Sequence, residues 1–86
     1  MATERPAVTL TVYSRSYCHL CDEMIAGLRE LQAGSAFGLV VVDVDGDERL
    51  EARYGERVPV LACGDAEICH YFLDRAALAE HLRGLR

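Results

Sequence analysis

Residues 8–21 read Val8-Thr9-Leu10-Thr11-Val12-Tyr13-Ser14-Arg15-Ser16-Tyr17-Cys18-His19-Leu20-Cys21. Val8, Leu10 and Val12 alternate with Thr9, Thr11 and Tyr13, and this two-residue period in β-forming residues predicts a strand. Ser14-Arg15-Ser16 is a short polar turn. Beyond it the period changes: Leu20, Met24, Leu28 and Leu31 recur at helical spacing, joined by Cys21 and Ile25, with Gly34 as the stop. A strand therefore hands over to a helix at Cys18-His19-Leu20-Cys21, and the rest of the chain is read outward from that junction.

Leu39-Val40-Val41-Val42 is an almost continuous apolar run continuing into Asp43-Val44-Asp45, as suits a strand covered on both faces and parallel to the first. Asp45, with Glu48 three residues later, predicts a capping box opening a second helix through Tyr54, and Gly55 sits at its C′ position. Val58 to Cys63 predicts a third strand, Gly64-Asp65 a two-residue turn, and Glu67 to Phe72 a fourth strand. Asp74 caps a last helix whose apolar stripe is Ala77, Leu78, Leu82 and Leu85. The order β-α-β-α-β-β-α gives an α/β fold, a four-stranded mixed sheet flanked by three helices. One domain fills residues 1–86, with 1–7 as a loose N-terminal segment.

The chain carries nine basic and fourteen acidic side chains, a net charge of −5. That balance argues against a nucleic-acid partner, which asks for a basic patch. Every basic residue is Arg, so lysine Schiff bases, a P-loop lysine and lysine general bases are excluded. The longest apolar run is far short of the ~20 residues that span a bilayer. Met1-Ala2-Thr3-Glu4-Arg5-Pro6 lacks the apolar stretch of a signal peptide. No membrane partner and a cytoplasmic setting are expected, and a monomer. In that setting four cysteines point to catalysis, metal or burial before structural disulfides.

Cys18 falls in the first turn of the helix, where free N–H groups and the positive dipole end favour a thiolate. Such placement can lower a thiol pKa from about 8.5 to between ~3.5 and ~7.5. Cys21, three residues on, shares its helix face within disulfide reach. Cys18 is assigned as nucleophile and Cys21, one turn deeper, as resolving thiol. Coincidence in a Cys-rich chain and half of a metal site are the competing readings. Arg15, at the rim of the same turn, is either a cation for the thiolate or a carboxylate, or a solvated loop arginine. His19 either tunes the thiol or is an exposed helix-start histidine. Tyr17 is read either as a wall of the site or as core cover. In Val58-Pro59 the proline either starts a strand or forms a cis bond exposing the Val58 backbone to a substrate peptide; beside the thiol motif the cis reading is favoured.

Over nearly its whole length the chain resembles a glutaredoxin of the thioredoxin-like superfamily, closest to a group of small bacterial glutaredoxin-like proteins. The resemblance is carried by Leu10-Thr11-Val12-Tyr13-Ser14, Arg15, Cys18 and Cys21, Val44-Asp45, and Val58-Pro59. It implies a thiol–disulfide oxidoreductase in which Pro59 is cis and faces the cysteine pair. Arg15 would then help hold glutathione, and Val58 would hydrogen-bond the cysteine of that tripeptide. The chain departs from the family by carrying His19-Leu20 where Pro-Tyr is usual. Where the family has a Gly-Gly pair that lets its backbone approach glutathione, Cys69-His70 stands, followed by Tyr71 and Phe72. Asp74 is the candidate acidic group for the glutathione amine. The implied partners are a disulfide-containing protein or a glutathione mixed disulfide; glutathione is a co-substrate and no cofactor is tightly bound.

A two-residue turn would set Cys63 opposite Ala66 and Cys69 opposite Val60, on opposite sheet faces, so that a Cys63–Cys69 disulfide is awkward. Both are read as small buried or half-buried hydrophobes, the alternative for Cys69 being an accessory thiol near the site. His70 is read as a cross-strand surface group and His81 as a helix-face group, in preference to ligands. Asp43-Val44-Asp45-Gly46-Asp47 fails as a calcium loop because Gly46 comes one position early and no closing glutamate follows. Cys63 and Cys69 are too widely spaced for a zinc knuckle, so no metal residues are assigned. Two other classes of function stay open: a metal or iron–sulfur module on Cys18 and Cys21, and a non-catalytic adaptor docking through Val58-Pro59.

Overall fold

In the computed structural model, which describes residues 8–84, the alternation of the first strand becomes a division between two faces. Strand β1 (Thr9–Ser14) buries Leu10 and Val12 completely on one face and sends Tyr13 to the other. Helix α1 (His19–Gln32) then carries the chain to β2 (Gly38–Asp43), parallel to β1. Helix α2 (Glu48–Tyr54) is followed by β3 (Val60–Cys63) and β4 (Ala66–His70), an antiparallel pair, and α3 (Arg75–Arg83) closes the order. β3 pairs antiparallel with β1, so the strands lie in the order β2-β1-β3-β4. This is the element order and mixed sheet expected above. The expected loose segment 1–7 and the stripe residue Leu85 lie outside the described residues.

The core has two parts. On one face Leu10, Val12 and Leu61 meet Met24 and Leu28 of α1, Phe37, and Leu78 of α3. On the other, Val60 packs with Val44 and Tyr54, and Tyr54 stacks on Tyr13 with ring centroids 3.9 Å apart. α1 and α3 thus cover one face and α2 the other. Each fully buried leucine or valine contributes roughly 1.5–3 kcal/mol, and this anchors α1, the helix that carries both cysteines of the motif. Among the described residues no helix is long and apolar enough to cross a membrane.

Several local expectations are corrected. Asp47, not Asp45, caps α2: its Oδ1 accepts the N–H groups of Arg49 and Leu50 at 3.0 and 3.1 Å. Gly46 takes a φ of 89°, which delays the helix, while the Asp45 N–H turns back to Asp43 Oδ1. Gly55 ends α2 in right-handed geometry, φ −54°, rather than as a left-handed C′ residue. The third strand starts at Val60, after a proline with no N–H to give to a ladder, and the fourth ends at His70. Cys63 does pair with Ala66, but Cys69 opposes Leu61 rather than Val60, because a register shift between Leu61 and Ala62 inserts one residue into β4. That irregularity turns Cys69 to the same core face as Cys63, where both pack as half-buried free thiols.

Candidate active site

Strand directions decide which loops meet. β1 ends at Ser14, and its partner β3 begins beside it, with Val60 paired to Tyr13 on one side and to His70 of β4 on the other. Residues 15–18, the Val58-Pro59 segment and the Tyr71–Asp74 segment therefore emerge at the same end of the sheet. The topology brings Arg15, Tyr17, Cys18, His19, Cys21, Val58 and Pro59 to that end, with Asp74 beyond β4.

Cys18 is the N-cap of α1, in extended conformation, and its Sγ accepts the Cys21 N–H at 3.1 Å. Sulfur thus fills the place that a Ser or Asp oxygen usually takes, satisfying one of the free donors of the helix start. Cys18 is half-buried; Cys21 is 1% exposed on the inner stripe it shares with Met24 and Leu28. The two form a disulfide, with Cα atoms 5.2 Å apart. Immediately before them Tyr17 is held at a φ of 58° with its ring wholly exposed, so it is not core cover.

His19 places Nε2 2.9 Å from Glu23 Oε2, a solvent-exposed pair one helical turn apart. The Arg15 guanidinium lies 3.7 Å from both Asp45 and Glu51, so its charge is partly met from the α2 side, while its buried Nε has no protein partner. A Cβ at Gly55 would stand 3.0 Å from that guanidinium, so the absence of a side chain there admits it.

The Val58-Pro59 peptide bond is cis. Pro59 is buried, and its carbonyl accepts the Tyr71 N–H at 2.9 Å. Val58 is half-buried, and among the described residues neither its N–H nor its C=O enters a backbone hydrogen bond. An unpaired peptide unit at a sheet end can accept an extended segment as an added strand.

Tyr71 and Phe72 are 41% and 66% exposed, and with Leu73 they wall a cleft of about 260 Å³ against Leu20 and Met24 of α1. A wider cleft of about 770 Å³ adjoins it, sharing Phe72, Leu73 and Arg75, and reaches Cys69 and Asp74. Cys69 and Asp74 meet there, the Asp74 N–H 3.5 Å from Cys69 Sγ, and burial pushes the Cys69 thiol above its usual range. One Asp74 oxygen caps α3 by accepting the Ala77 N–H at 3.0 Å. Behind the wall Glu67 contacts both Arg57 and His70. Partial burial acts to raise its pKa, but hydrogen bonds from Arg57 and His70 outweigh this and hold the carboxyl below its usual range.

Sequence reasoning missed Asp45 and Glu51 as partners of Arg15, and Leu20 with Met24 as the opposite wall of the cleft. The alternating acids around Gly46 were the signal for the first. For the second, only the helical spacing from Cys21 was available.

The glutaredoxin-like domain family (DUF836) matches residues 9–83. The solution structure of protein Ne2328 from Nitrosomonas europaea is 47% identical, with a TM-score of 0.81 over 94% of this chain and 98% of that one. The X-ray structure of protein XcR50 from X. campestris is 36% identical, with a TM-score of 0.68 over 87% of this chain and 96% of its own. The germline-specific thioredoxin Deadhead of Drosophila melanogaster, 22% identical, shares the fold with a TM-score of 0.58 over 94% of this chain and 83% of its own. No curated protein matches the sequence. With its β-α-β-α-β-β-α order, its Cys18–Cys21 pair and a family match from β1 to α3, the chain has a thioredoxin-like fold and belongs to the glutaredoxin-like domain family.

Proposed function

We propose that the protein is a glutaredoxin-like thiol–disulfide oxidoreductase. One observation carries the reading: Cys18 caps α1 with its sulfur receiving the Cys21 N–H, while its disulfide partner Cys21 lies buried one turn deeper. A thiolate at Cys18 is stabilised where it is reachable, and the second thiol waits within bonding range. In the cycle, Cys18 Sγ attacks a substrate disulfide, forming a Cys18–substrate disulfide and releasing one substrate thiolate. Cys21, deprotonated as it attacks, displaces the second thiolate from Cys18. The substrate gains two electrons and two protons, and the protein dithiol loses them. Two equivalents of a thiol such as glutathione, or a dithiol reductase, restore the dithiol. Arg15, whose partly exposed guanidinium stands at the sheet end beside the cysteine pair, is suited to a substrate carboxylate, and the Val58 peptide unit to the backbone beside the substrate cysteine.

The experiment is intact-protein mass spectrometry across a glutathione redox series, with thiols trapped. A two-hydrogen loss confined to Cys18 and Cys21, with a midpoint of roughly −200 to −270 mV, is expected. Cys18→Ser should abolish disulfide reduction. Retained activity in that variant, or two thiols that stay reduced throughout, would remove the reading.

A further inference from the structure

Tyr71 is an anomaly of the backbone. A bulky aromatic residue sits at a φ of 66°, in the left-handed region that ordinarily belongs to glycine or asparagine. The fold holds it there at both ends: its N–H donates to Pro59 O at 2.9 Å, and its hydroxyl donates to Glu56 O at 3.1 Å. The ring is thus strapped along residues 56–59, the segment that contains the unpaired Val58 peptide unit. Strain kept by two hydrogen bonds at the sheet end that carries the cysteine pair is a sign of function rather than of packing economy.

The strap shapes what can approach. With its own N–H spent on Pro59, Tyr71 offers an incoming substrate an aromatic surface and no backbone donor. Phe72 extends that surface, and Leu20, from between the two cysteines, faces it across the cleft. The charged groups lining the two clefts are Glu23, Glu67 and Asp74 against Arg75, three carboxylates to one guanidinium, with His70 beside them. Glutathione is a small tripeptide with two carboxylates and one amine. Arg15 and Val58 can take one end of it and the backbone at its cysteine, but along the clefts its second carboxylate meets Glu23 and Asp74 with Arg75 as the one lining guanidinium. An extended polypeptide segment with apolar residues flanking its cysteine would pair with Val58 and bury those residues on the wall.

We infer that Tyr71 is a specificity-determining residue, which turns the dithiol toward disulfides in extended apolar protein segments and away from glutathione mixed disulfides. This rests on the dithiol reading above and goes beyond it by naming the substrate class.

The test is single-turnover. Pre-reduced protein is mixed with excess insulin, or with the mixed disulfide of glutathione and mercaptoethanol. Quenched mass spectrometry follows formation of the Cys18–Cys21 disulfide; in each reaction the protein loses two hydrogens and the substrate disulfide gains them. The wild type should prefer insulin, and Tyr71→Gly should lower the ratio of the two second-order rate constants at least fivefold. Tyr71→Phe keeps the wall but loses the Glu56 tether, and should lower the ratio by about two- to tenfold. Tyr71→Asn, which tolerates the same φ, replaces the glycine variant if that fails to fold. A ratio that falls less than fivefold in Tyr71→Gly or Tyr71→Asn overturns the inference while leaving the dithiol reading intact. A wild type that oxidises with neither substrate removes both.

Discussion

Removing the resolving thiol should convert a passing intermediate into a stable one, by a factor the geometry supplies. The Cys18 and Cys21 Cα atoms are 5.2 Å apart. Confining one thiol to a sphere of about that radius corresponds to an effective concentration of ~3 M. With external thiol at ~1 mM, losing Cys21 leaves resolution to that external pool, and the mixed disulfide on Cys18 should live about 3,000-fold longer. The assay loads reduced Cys21→Ser protein with a peptide disulfide, quenches in acid at intervals, and maps the adduct by mass. Because Cys21 is buried, the serine hydroxyl is stranded at a cost of about 1–3 kcal/mol, so Cys21→Ala serves as the packing control and should trap equally well. An adduct lifetime within tenfold of wild type in both variants, or an adduct on Cys63 or Cys69, would refute the assignment of Cys21.

Three other outcomes are expected. Leu28→Ala empties a fully buried site between α1 and the sheet, and should cost about 2–5 kcal/mol, lowering Tm by roughly 8–40 °C; a loss under about 1 kcal/mol in chemical denaturation would contradict the packing described. Glu67 has a lowered folded pKa, so its contribution is present above the unfolded carboxyl pKa of about 4.3 and is lost as pH falls through the folded value. The stability gap between wild type and Glu67→Gln should therefore be wide at pH 7 and shrink toward pH 3; a gap that widens on acidification would reverse the sign. Burial holds the Cys69 thiol above its usual range, so it should be alkylated at neutral pH more slowly than Cys18 in the reduced protein. Peptide mapping after brief iodoacetamide treatment decides the order.

Much of the fold was legible because the periods were clean. The change from alternation in Val8–Tyr13 to helical spacing in Leu20–Leu31 located the first strand, the first helix and the cysteine pair between them. What stayed hidden depends on contacts between distant parts of the chain. The extra residue in β4 leaves no local mark, so Cys69 was placed opposite Val60 and on the wrong face. The choice between Asp45 and Asp47 as cap was set by the φ of Gly46, while Asp45–Glu48 matched the capping pattern equally well on paper. Arg15 read as either a solvated or a site residue, because its carboxylates come from Asp45 and Glu51, 30 and 36 positions away. Tyr71 gave no warning, since nothing in a tyrosine's sequence context announces a left-handed backbone.

The strand order carries a further consequence. β1, α1 and β2 form one half of the molecule and hold both cysteines of the pair; α2, β3, β4 and α3 form the other and hold Val58, Pro59, Tyr71 and Phe72. Within the sheet a single seam joins them, Thr11–Tyr13 against Val60–Ala62. The cysteine pair and the aromatic wall are therefore assembled from separate pieces of the chain. A chain emerging from the ribosome presents its cysteine pair before the aromatic wall exists, and the two are held against each other by core that crosses the seam, Leu10, Val12, Met24 and Leu28 packing with Leu61 and Leu78. The β1–β3 seam is thus the join on which the placing of the wall relative to the cysteine pair depends.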